Sequence, residues 1–143
     1  MRSLALLLAL VAAPALADGA VTVAQPDLSG IPETEVSALL DRIVTSIVIG
    51  QNCPDWMSTD GEWQLMNDSA DVLTARLGLD PGQSDARFWS PAFAILDDPG
   101  ACGKYGPMVG GVLAELQALG GGTTALDAAM PDPVSTAPTK STK

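Results

Sequence analysis

The amino-acid sequence predicts an all-α fold: a small bundle of three to four helices, stapled by one disulfide and followed by a disordered C-terminal tail. Three observations predict it. Apolar residues recur at three- and four-residue spacing in separate stretches, and nowhere alternate with the period of two that a half-buried strand requires. Capping and stop residues punctuate the gaps between those stretches. The only two cysteines of the 143-residue chain, Cys53 and Cys102, fall just after the first stretch and just before the last.

The first helix is expected to open with Pro32 at its first position, where a missing N–H costs nothing, and with Glu33 and Glu35 where the helix dipole favours anions. Val36, Leu39, Leu40, Ile43, Ile47 and Val48 form its core-facing stripe, and Gly50 is read as its end. The second is the best marked. Thr59-Asp60-Gly61-Glu62 has the spacing of a capping box, Trp63, Met66, Ala70, Leu73 and Leu77 fall in one line, and Gly78 is the expected stop. Asp80-Pro81-Gly82 reads as a turn. Trp89, Phe93 and Leu96 suggest a short amphipathic segment interrupted at Ser90-Pro91, with Ser90 capping a new helix. After a second turn at Asp97 to Gly100, the last helix runs from about Gly103 to Leu119 on Tyr105, Val109, Val112, Leu116 and Leu119. Gly106 and Gly110, four apart, predict a close helix–helix crossing there, because a helix otherwise loses stability at glycine.

The ends of the chain carry different information. Arg2, an unbroken apolar run from Leu4 to Ala13, and Ala15-Leu16-Ala17 make a secretory signal peptide over residues 1–17, too short to span a bilayer. Residues 18–30 read as an extended leader, 31–119 as the helical domain, and 120–143 as a tail whose Gly, Pro, Ser and Thr content cannot offset the entropy of ordering it. No later stretch is long and apolar enough for a membrane helix, so no membrane insertion is expected once the signal is removed. Export predicts a periplasmic or secreted protein, and there an even cysteine count reads as a Cys53–Cys102 disulfide.

Charge narrows the partners. The chain holds seven basic and seventeen acidic residues; losing Arg2 leaves a net charge of −11. That surface repels phosphate backbones, so nucleic acid is excluded as a partner. There is no histidine, which removes the commonest general base, the usual serine and cysteine triads and most zinc sites. The acidic groups Asp55, Asp60 and Glu62, then Asp68 and Asp71, then Asp97 and Asp98 lack the spacing of a calcium loop. No catalytic, cofactor-binding or metal-ligating residue is therefore expected, and no cofactor. The aromatic residues Trp56, Phe88 and Trp89 are the expected interaction residues, against the plainer reading that they pack over the core and the disulfide.

Arg42-Ile43-Val44 through Gln51-Asn52-Cys53-Pro54, Leu65-Met66-Asn67 to Leu77-Gly78, and Cys102-Gly103-Lys104 through Gly110 resemble a family of small secreted alphaproteobacterial two-cysteine helical proteins catalogued as a domain of unknown function. The proline-broken segment between the cysteines departs from that family. The resemblance implies a periplasmic helical domain with a disulfide and transfers no activity. The expected function is an interaction or accessory protein without catalysis, working on a periplasmic protein partner. The alternative is a binder of a small molecule or cation. The two differ in whether Trp56, Phe88 and Trp89 converge on an exposed patch or line a cavity.

Overall fold

The computed structural model describes residues 21–126, and among them the chain forms helices and no strand. The long helices are α1 (Glu33–Asn52), α2 (Asp60–Arg76) and α5 (Ala101–Ala118). Between α2 and α5 lies an unbroken helical run made of α3 (Pro81–Ser84), a π turn (Asp85–Trp89), α4 (Ser90–Ala94) and a 3-10 turn (Ile95–Asp97). The fold is the expected all-α bundle stapled by Cys53–Cys102, whose Cα atoms lie 5.5 Å apart. Residues 1–17, read as a signal peptide, and the chain beyond Leu126 lie outside the described residues.

Helix α1 is the central member, and α2, α5 and the composite run all pack on it. Its expected stripe is buried throughout, and from Ile43 to Gly50 every residue is buried, Thr45, Ser46 and Ile49 included. A helix covered on several sides needs more than one apolar face, which is why its second half reads Ile-Val-Thr-Ser-Ile-Val-Ile. Two boundaries differ from the sequence reading. Pro32 is the cap rather than the first helical residue, and the helix passes through Gly50 to Asn52. Gly50 is buried for a packing reason: a methyl group there would run into the Ser58 hydroxyl, and its carbonyl accepts from the Ser58 N–H at 2.9 Å.

The capping box of α2 is present. Thr59 Oγ1 accepts from the Glu62 N–H, and Glu62 Oε2 accepts from the Thr59 N–H at 2.8 Å. Its inward face is centred on Leu65, Met66, Ser69, Ala70 and Leu73, leaving Trp63 and Leu77 half-buried at the margins. Gly78, at φ +63°, ends the helix in a Schellman motif, with Gly78 N–H on the Ala75 carbonyl and Leu79 N–H on that of Thr74. The same motif ends α5, with Gly120 at φ +97° and bonds from Gly120 to Gln117 and from Gly121 to Leu116.

The leader is extended, yet it belongs to the core rather than preceding it. Val23 and Leu28 are 2 % and 4 % exposed. The stretch after α5 runs antiparallel beside it and bonds to it: Asp27 N–H to the Leu119 carbonyl at 2.8 Å, Gly122 N–H to Ala24 at 2.9 Å, Leu126 N–H to Thr22 at 2.7 Å. Residues 120–126 thus form a strap against the bundle, while the remainder of the expected tail lies outside the described residues. Glycine is needed where the strap lies closest, since a methyl group on Gly61 of α2 would run into the Thr123 carbonyl and one on Gly121 would stand 2.8 Å from Leu65 Cδ1. Arg76 fastens the leader from the other side. Its guanidinium donates to the carbonyls of Leu28 at 2.7 Å and Ile31 at 2.9 Å and pairs with Glu33.

Candidate functional site

The segment read as a turn followed by a broken helix is what builds the site. Asp80 is a cap, with its own capping box: its carboxylate accepts from the Gln83 N–H at 2.9 Å, and Gln83 Oε1 accepts from the Asp80 N–H at 3.0 Å. Pro81 occupies the first turn. Ser90 and Pro91 do not break the helix. Ser90 is itself helical and caps nothing; its hydroxyl donates to Asp85 Oδ2 at 3.0 Å. Proline has no N–H to give and its ring presses on the carbonyl four residues back. The chain accommodates Pro91 by widening the preceding turn, so that the Ser90 N–H bonds to the Asp85 carbonyl five residues back.

The π turn sets the direction of two rows of side chains. In a uniform α-helix, residues four apart drift around the axis by about 40° per step. The wider turn offsets that drift. Ser84, Phe88 and Ala92 consequently all point inward, at 6 %, 3 % and 2 % exposure. The adjacent row Asp85, Trp89 and Phe93 faces a cavity of about 550 Å³. The opposite wall is α2, through Ala70, Asp71 and Thr74, and Leu79 and Pro81 close the end where α2 turns into the run. The cavity therefore has an aromatic side, a small apolar floor and two exposed carboxylates, Asp71 and Asp85.

The three aromatic residues expected to mark an interface are separated by the fold. Phe88 is in the core. Trp89 is half-buried in the cavity wall. Trp56 follows the C-terminal end of α1, whereas Arg87, next to Phe88, bonds to Ser37 near its N-terminal end at 3.0 Å. A helix of 20 residues is about 30 Å long, so Trp56 and Trp89 serve different places. Trp56 packs on Gly106 beside the disulfide, where a methyl group would overlap its indole ring. Gly106 thus receives a side chain, not a neighbouring helix, and Gly110 faces open space; the expected glycine-mediated crossing is replaced by this contact. Phe93, a site residue the sequence reading placed only in an amphipathic segment, is 49 % exposed.

Several acidic residues have local roles. Glu62 belongs to a cap, Asp68 accepts from Gln25 and Gln64 at 2.7 Å each, and Asp98 accepts from the Gly100 N–H at 2.9 Å. Asp27 accepts from the Ser29 hydroxyl and N–H, which hold its carboxyl below the usual aspartate range. Among the described residues no three histidine, cysteine, aspartate or glutamate side chains gather where a metal ion could be held. No helix among them is long and apolar enough to cross a membrane. The chain matches no protein-family model, and neither a curated protein nor a solved structure matches it.

Proposed function

We propose that this chain is an exported accessory protein that acts by binding and carries no catalytic activity. The observation behind this reading is the cavity between α2 and the composite run, which presents Trp89 and the half-exposed Phe93 beside two carboxylates. An exposed phenylalanine next to a tryptophan is how binding surfaces are built, and a chain without histidine offers few groups for general acid–base chemistry. Export is supported by the signal-like N-terminus and by the formed disulfide, a bond that persists in oxidising compartments. A periplasmic location and the resemblance to secreted two-cysteine proteins belong to the same proposal.

The occupant in this reading is a periplasmic protein partner that seats a side chain in the cavity. The test is affinity capture from the extracytoplasmic fraction of the native host with wild-type protein and with Phe93→Asp. A stoichiometric partner retained by the first and lost by the second is expected. Equal retention by both would place the binding surface elsewhere and sink the assignment to this cavity.

A second reading, in which a small molecule or cation occupies the site, is favoured by its size. A cavity of about 550 Å³ lies within the ~300–1,000 Å³ of small-molecule sites. A protein interface of standard size needs roughly 800 Å² from each partner, far more than nine lining residues supply.

A further inference from the structure

Resting on that second reading, we infer that the cavity takes a small organic cation, an ammonium group carried on an apolar or aromatic body. Three features of the site converge on this chemistry. The first is charge. Asp71 on α2 and Asp85 on the π turn both line the cavity, Asp85 also accepting from the Ser90 hydroxyl at 3.0 Å, and no lysine or arginine lines it. The four cationic side chains among the described residues are engaged elsewhere: Arg42 with Glu115, Arg76 with Glu33, Arg87 with Ser37 and the face of Phe88, and Lys104 over the ring of Tyr105. The cavity is left uniformly negative inside a chain that is itself strongly acidic, a field that draws in cations.

The second is the aromatic wall. Trp89 and Phe93 stand one above the other on the helical run, and π faces attract a desolvated cation, tryptophan most strongly. The third is the floor. Ala70, Leu79 and Pro81 give apolar surface that a fully hydrated metal ion cannot use but the carbon body of an organic amine can. Carboxylates alone would suit any cation. Carboxylates and aromatic rings around one apolar floor select one that is both charged and greasy.

The experiment titrates three probes of one shape into the ¹⁵N-labelled chain: 2-phenylethylammonium, neutral 2-phenylethanol and anionic 3-phenylpropionate. The ammonium probe is expected to shift the amide resonances of Ala70, Thr74, Leu79 and Phe93. It should bind at least tenfold more tightly than the alcohol at low salt and weaken as salt screens the carboxylates. The anion should not bind. Asp71→Asn, an exposed change outside the core, should cost the ammonium probe severalfold in affinity and leave the alcohol unaffected; Trp89→Leu should weaken both. Equal binding of ammonium and alcohol would overturn the cation and keep the site as an apolar one. Shifts clustered around Trp56 would overturn the site. If none of the probes binds, the inference fails, while the protein-partner reading is judged separately by capture with Phe93→Asp.

Discussion

Glycine in a helix reports that something comes close without saying what. Gly106 illustrates the point: the spacing to Gly110 suggested a second helix, and the structure places the Trp56 indole there instead. Gly106→Ala should therefore destabilise by about 1–3 kcal/mol, the usual cost of overpacking. Combined with Trp56→Ala, the same change should cost much less than in the wild-type background, because the overlapping ring is gone; urea melts of the four members of this cycle measure the coupling. Strictly additive effects would show that the two residues do not touch. A second residue-scale prediction concerns Asp27. Its carboxyl is held below the ordinary value first by the Ser29 hydroxyl and then by the Ser29 N–H. A folded-state value depressed in this way adds stability that is present above the unfolded value and lost as pH falls through the folded one. Ser29→Ala should move the Asp27 titration upward, toward ordinary aspartate, in a carboxyl ¹³C NMR titration. An unchanged midpoint would assign the shift to something other than Ser29.

At the scale of elements, two helices end alike. Gly78 and Gly120 hold positive φ in Schellman motifs, and an L-residue in that conformation costs about 1–2 kcal/mol. Gly78→Ala should lower the unfolding free energy by that amount, seen as a lower urea midpoint with the slope unchanged; a silent substitution would mean that the turn relaxes. Gly78 was legible because it follows an apolar stripe, and so were the Thr59 to Glu62 box and the six-residue stripe of α1. What could not be read follows from physics beyond the local pattern. The burial of Thr45 and Ser46 depends on which helices cover the other side of α1, and periodicity within one helix cannot report that. Ser90-Pro91 carries the ordinary marks of a break, and only packing of Phe88 and Ala92 on α1 makes a widened turn the better solution. The candidate site was hidden for the same reason. Trp89 was visible as an aromatic residue, but its pairing with Phe93 and Asp85 depends on the π turn.

For the whole molecule, closure rests on a covalent link and a non-covalent one. The disulfide spans 49 residues, and removing it with Cys53→Ser and Cys102→Ser should cost up to ~4 kcal/mol on the chain-entropy estimate. The strap is the non-covalent link. Composition reads residues 120–143 as a disordered tail, so that a chain truncated after Gly120 should lose very little stability. Given the bonds from Gly122 and Leu126 to the leader, it should instead unfold at lower urea than a chain ending at Leu126. Coincident melts would show that the strap adds nothing. The strap also dictates a sequence of events. The leader is among the first parts of the domain to be synthesised, yet the backbone groups that hold it come from beyond Ala118. Until those residues are present, the leader that carries Val23 and Leu28 lacks the backbone bonds that hold it against the bundle, and the core beneath it stays open. Only a chain translated past Gly122 can cover it, so a prematurely terminated copy displays greasy surface at both ends of its polypeptide and offers proteases an unsealed bundle. In this architecture the core cannot close before residues 120–126 are in place.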